Sequence, residues 1–189
     1  MGIKGSLTEK NLIAAFAGES QARNRYTYYA SLAKKEGYEQ ISAIFLETAD
    51  NEKEHAKVFF KLLEEGEAVV NASYPVSLGN TPANLKAAAE GEKMEWSTLY
   101  PEFARVAGEE GFQEVKKAFL MIARVEIEHE KRYNKLLENI ASGMVFKKNT
   151  ETSWKCRNCG YIQSSASAPD KCPACSHTKG YFEIRSENY

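Results

Sequence analysis

No apolar run approaches the roughly 18 to 20 residues that a bilayer-spanning helix needs. The start, Met1-Gly2-Ile3-Lys4-Gly5-Ser6, lacks the apolar stretch of a secretory signal. Gly2 and Ser6 do fit the loose N-myristoylation pattern, but so short a pattern arises often by chance. No block of like charge stands out and the net charge is −1, which argues against nucleic acid or an anionic membrane as main partner. No dinucleotide-binding fingerprint is present, and no cysteine precedes Cys156. These absences lead us to expect a cytoplasmic protein, in which four cysteines are metal ligands rather than disulfides.

What is present divides near Gly143. Before it, helical periodicity dominates. Ser6-Leu7-Thr8-Glu9 is a capping-box pattern that opens a first helix running to about Gly37. A second spans about Tyr38 to Gly66. Residues 67–80 lose the period, and Thr81-Pro82 then supplies an N-cap with proline at the first helical position. A third helix reaches about Gly111 and a fourth about Ser142. One long connection among short ones is the signature of a ferritin-like four-helix bundle over residues 1–142. Residues 143–153 read as a linker, and 154–189 as a small β- and turn-rich module. Some 36 residues bury little core, so a bound metal is the expected staple.

The apolar stripes carry the chemistry. In the fourth helix the stripe is Val115, Phe119, Ile122, Glu126, His129, Tyr133, Leu136, Ile140; in the second it is Ile41, Phe45, Thr48, Glu52, His55, Phe59, Leu62. Each thus holds a Glu-x-x-His pair where leucines belong. The first reads Leu12, Phe16, Glu19, Ala22, Tyr26, Ala30, Ala33, and the third Leu85, Ala88, Glu92, Glu95, Leu99, Phe103, Val106.

A single helical glutamate is ordinarily a solvated one, as Glu54, Glu128 and Glu130 should be, with Glu128 and Arg132 forming an i, i+4 surface pair. Five buried together are another matter. Each would cost several kcal/mol uncompensated, against a total stability of about 5–15 kcal/mol. Lysine and arginine are missing from the middle of the seams, and His55 and His129 are the bundle's only histidines. Oxygen-rich sites with one imidazole per metal suit iron or manganese. Five carboxylates bring two divalent ions to −1 and two trivalent ions to +1, so the site can change redox state with little net charge.

Cys156-x-x-Cys159 and Cys172-x-x-Cys175, 12 residues apart, form a strong four-thiolate signal that does not choose between iron and zinc. His177 lies beside an already full ligand set and reads as a surface residue. Trp154, Tyr161, Tyr181 and Phe182 would form the module's core.

Two inward glutamates, two Glu-x-x-His pairs, the extra carboxylate Glu95 and the closely spaced cysteine pairs resemble the rubrerythrin family over nearly the whole chain. The resemblance implies two iron ions in the bundle and one more bound by the four cysteines, with zinc a possible substitute. It implies that Glu52 and Glu126 bridge the two irons. Glu19 would be a terminal ligand of the first, and Glu92 with His129 of the second. Glu95, when oxidised, and His55, when reduced, would alternate on the first iron. Tyr26 and Tyr100 would donate hydrogen bonds to the site, although Tyr100 lies off the traced stripe. The implied activity is reduction of hydrogen peroxide, with electrons from an external donor, a rubredoxin or a separate NAD(P)H-linked reductase. A homodimer or higher oligomer is expected. A ferroxidase or iron-handling role is the alternative, and a purely structural bundle with a zinc ribbon a further one. The module departs from the family at Ser176, where glycine is usual.

Overall fold

In the computed structural model, which describes residues 2–189, the apolar stripes become a four-helix bundle followed by a three-stranded sheet. The helices are α1 Leu7–Lys35, α2 Glu39–Lys61, α3 Thr81–Met94, α4 Tyr100–Glu109 and α5 Gln113–Ala141; a π-helical turn, Glu95–Leu99, joins α3 to α4. The α3–π–α4 unit serves as the third rod of the bundle. Ser6 caps α1 by accepting from the Glu9 amide at 2.9 Å, while the Glu9 carboxylate takes the Gly5 amide. The N-cap of α3 is Asn80, one residue before the expected Thr81; its side chain accepts from the Ala83 amide at 3.0 Å.

The π turn corrects the third stripe. Its extra residue advances the helical phase by one position, so the buried face moves from Leu99, Phe103 and Val106 to Tyr100, Ala104 and Ala107. That phase shift is why Tyr100 points inward. It packs with Phe59 and Phe119 in one apolar cluster below the carboxylates, while Tyr26, Phe45 and Tyr133 belong to a second above them.

The long crossover between α2 and α3 is pinned to α1. Tyr74 donates to the Ala14 carbonyl and Tyr29 to the Ser77 carbonyl, each at 3.1 Å. Asn84 then clamps the backbone of Gly79 from both sides, at 2.9 Å each.

The sheet, ordered β2–β1–β3, comprises β1 Lys147–Cys156, β2 Ile162–Ser167 and β3 Phe182–Ile184, all antiparallel. Strand β1 begins inside the segment expected to be linker. Trp154 and Phe182 are buried, with Tyr161 and Tyr181 against them. The module sits on the end of its own bundle. Phe146 stacks on Tyr38 at 6.1 Å between centroids, and Gly180 approaches Gly37 so closely that an added Cβ would lie 2.4 Å from its carbonyl oxygen.

Candidate metal centres

Two clusters meet midway along the bundle. Glu19, Glu52, His55 and Glu126 each bring a donor atom within 4.8 Å of the others, as do Glu52, Glu92, Glu126 and His129. Glu52 and Glu126 belong to both, which places them between the two histidines. His55 Nδ1 lies 2.8 Å from Glu52 Oε2 and 2.9 Å from Glu126 Oε1. His129 Nδ1 lies 2.6 Å from Glu126 Oε2 and 3.2 Å from Glu52 Oε1.

These short distances are mostly not hydrogen bonds. Glu19 Oε2, Glu52 Oε1, both Glu126 oxygens and His129 Nδ1 are buried with no hydrogen-bond partner. Buried polar atoms are almost always satisfied. Lone pairs that crowd together without donating to one another aim at a common point, so this donor set fits two cations sharing two carboxylates.

Tyr26 donates to Glu92 Oε1 at 2.6 Å, and Tyr100 to Glu19 Oε1 at 2.5 Å. Each phenol thus holds one oxygen of a terminal carboxylate. Glu95 behaves differently. It contributes to neither cluster; the structure shows the arrangement in which His55 completes the first set.

Arg25 was not foreseen. It lies off the traced stripe of α1, one residue before Tyr26, yet is buried. Nothing in the periodicity of α1 separates it from a solvated arginine. Arg132 pairs with Glu47 and Thr48 rather than Glu128, whose partner is Lys131. Glu130 is half-buried and accepts from the Trp96 indole at 2.6 Å, whereas Glu54 is exposed as expected.

In the metal-free protein the cluster's protonation is set by burial and mutual repulsion. Burial first, then neighbouring carboxylates, pushes Glu19 and Glu92 well above the usual range and Glu95 up to about 8. Against its own burial, Glu52 is held at about 2 by His129 and His55. Burial opposes the imidazolium forms, yet Glu126 and Glu52 raise His55 to about 10 and His129 to about 9.

The sign of the pH dependence follows. Protonated His55 and His129 stabilise the fold fully below their ordinary 6.5, and that contribution is lost as pH rises through about 9 and 10. The cost of ionising Glu95 grows from its ordinary 4.5 up to about 8. Both trends run the same way, and the opposing Glu52 effect is confined to the window from 4.5 down to about 2. With the bundle stripped of metal, Tm should fall by roughly 10 °C between pH 5 and pH 9. Metal-loaded protein should change little. A flat calorimetric profile for the stripped protein would contradict this account.

In the module all four Sγ atoms lie within 4.8 Å of one another, with Cys156–Cys175 at 3.8 Å and Cys159–Cys172 at 3.6 Å. A tetrahedron with metal–sulfur bonds of about 2.3 Å has edges of about 3.8 Å, so the four thiolates fit one ion. The two knuckles repeat one turn: the Gly160 amide donates to the Cys156 carbonyl and the Ser176 amide to that of Cys172. Gly160 has φ 78°, and Ser176, at φ 61°, is the only non-glycine with positive φ among the described residues. The unusual serine therefore carries the expected strain. The His177 amide lowers the Cys175 thiol to about 6. The His177 ring packs on Tyr181 and joins no ligand set.

A rubrerythrin family model matches residues 10–137, and the model of the rubredoxin-like domain of rubrerythrin matches residues 154–183. The chain belongs to the rubrerythrin family. Rubrerythrin from Porphyromonas gingivalis is 57% identical over 99% of this chain and 94% of its own length. Rubrerythrin from Nitratidesulfovibrio vulgaris is 51% identical, over 99% and 98%. Among solved structures, mixed-valent nigerythrin superposes with a TM-score of 0.65 at 32% identity, covering 97% of this chain and 92% of that one. As a member of the rubrerythrin family the chain is a di-iron protein with a rubredoxin-like iron site, and that domain points to redox electron-transfer partners. Among the described residues no helix is long and apolar enough to cross a membrane.

Proposed function

We propose that this rubrerythrin is a peroxidase, reducing hydrogen peroxide to two waters with electrons relayed through the cysteine site. The carrying observation is the donor geometry: two clusters share Glu52 and Glu126, and a separate four-thiolate site lies in the same chain. Two ferrous ions held by these clusters would supply together the two electrons that peroxide needs if no radical is to be released.

The protein residues divide that work. Glu52 and Glu126 fix the spacing of the two sites, with Glu19 and His55 completing one and Glu92 and His129 the other. Tyr26 and Tyr100 keep a proton on each phenolic oxygen, because burial foremost and the adjacent carboxylates hold both far above their ordinary range. Those protons stay beside Glu92 and Glu19. Glu95, half-buried, faces a cavity next to the first cluster and is the carboxylate free to approach it. We assign residues 1–142 to the di-iron unit and 154–189 to the electron-input module. The working unit is at least a dimer, and the compartment a reducing cytoplasm, in which the thiolates stay available.

Mixing anaerobically reduced protein with peroxide, and separately with dioxygen, tests the reading. Peroxide should reoxidise it faster by at least about tenfold in rate, roughly 1.4 kcal/mol in barrier. Faster oxidation by dioxygen with accumulation of ferric iron would favour the ferroxidase alternative.

Cys172→Ser should separate the two sites. It removes one buried thiolate from the four, so donor-driven turnover should fall by about 100-fold or more. Chemically reduced protein should still consume peroxide at the normal rate in stopped flow. Equal loss in both assays would refute the division of labour.

A further inference from the structure

Hydrogen peroxide is little larger than water, which occupies about 30 Å³ in the liquid. Beside the first cluster, bundle and crossover enclose a cavity of about 370 Å³, inside the range of roughly 300–1,000 Å³ that pockets for small organic ligands occupy. Its floor is α1, where Ala14, Ala15 and Gly18 present little or no side chain; its roof is the crossover, with Ala72, Tyr74 and Pro75. The Tyr74 bond to the Ala14 carbonyl, at 3.1 Å, ties roof to floor. A further wall is the product of the π turn. The phase shift that sends Tyr100 into the core turns Leu99 and Phe103 out of it, and both line the cavity, half-buried.

Toward the metal site the wall contains Glu95 and Tyr100. The Tyr100 phenol donates to Glu19 Oε1 at 2.5 Å, so one side chain separates the cavity from a carboxylate of the first cluster. Apolar walls suit a hydrocarbon body and leave a polar head to seek partners at that end. A hydroperoxide head is neutral and carries one O–H donor and two acceptor oxygens. The Glu95 carboxylate and the Arg25 guanidinium, in the same wall, complement it.

We propose that the cavity holds the tail of small organic hydroperoxides, ROOH with an alkyl or aryl tail, and that the protein reduces these as well as hydrogen peroxide. The inference rests on the peroxidase reading. The O–O bond breaks, two electrons from the reduced protein and two protons are taken up, and one alcohol and one water leave in place of two waters.

Cumene hydroperoxide is the substrate probe, and cumyl alcohol, its product, reports binding without turnover. In stopped flow, cumene hydroperoxide should reoxidise the reduced, iron-loaded full chain at a rate within about tenfold of that for hydrogen peroxide. Calorimetry on the oxidised protein should detect the alcohol, and crystals soaked with it should place the phenyl ring against Leu99 and Phe103. Ala14→Leu grows into the cavity yet keeps the carbonyl that Tyr74 binds. It should weaken the alcohol and slow cumene hydroperoxide by about tenfold or more, with hydrogen peroxide changed by less than about twofold. Ala72→Leu, on the exposed crossover, asks the same question should the first variant not fold. Reoxidation by hydrogen peroxide but not by cumene hydroperoxide overturns the inference alone, as does alcohol binding that neither variant weakens. Failure with both peroxides overturns the peroxidase reading and the inference with it.

Discussion

Replacing Glu126 by alanine should empty the bundle of metal and abolish peroxide turnover, while the cysteine site stays loaded. Glu126 is fully buried and belongs to both clusters, and neither of its oxygens has a hydrogen-bond partner. Both imidazoles face it, His55 at 2.9 Å and His129 at 2.6 Å. Removing it deprives two cations of a ligand at once. The remaining buried carboxylates then lack sufficient counter-charge, a loss of several kcal/mol in a bundle with little to spare. Iron should fall from about three per chain to about one, with the red colour of the ferric four-thiolate site preserved. Glu128→Ala is the control. That residue is exposed, pairs only with Lys131, and should shift stability by no more than about 0.5 kcal/mol. Two irons retained in the bundle of Glu126→Ala, with normal turnover, would remove the assignment.

The sites were readable in the sequence because a glutamate or histidine in an apolar seam breaks a pattern that burial enforces. Glu19, Glu52, His55, Glu92, Glu126 and His129 all stand where their stripes put them. The π turn left no such mark. Leu99, Phe103 and Val106 continue the third stripe at ordinary spacing, and Tyr100, Ala104 and Ala107 are equally apolar. With two adjacent faces both able to be buried, packing against α1 and α5 decides the phase. Arg25 escaped for a related reason: it is buried beside Gly91 on another helix, a long-range fact that local periodicity does not contain. The start of β1 was hidden because Lys147-Lys148-Asn149-Thr150-Glu151 is polar on both faces, as a strand exposed on its outer part can be.

Mixing two inactive variants should restore activity. The module contacts its own chain at the α1–α2 turn, through Phe146 on Tyr38 and Gly180 on Gly37. Glu52 lies 13 residues into α2 from Glu39, about 20 Å at 1.5 Å per residue. Electron tunnelling falls steeply over such a span. A module at the end of one bundle serves best a bundle lying beside it in a head-to-tail pair closed by a two-fold axis. Glu126→Ala carries an intact module and no di-iron site; Cys172→Ser carries the reverse. Dissociated, mixed in equal amounts and reassociated, half of the dimers should be mixed, and each should contain one competent pair out of two. Donor-driven peroxidase activity should therefore recover to about one quarter of wild type, against almost none for either variant alone. Activity in the mixture no greater than in the separate proteins would place transfer within the chain, as would a strictly monomeric wild type with full activity.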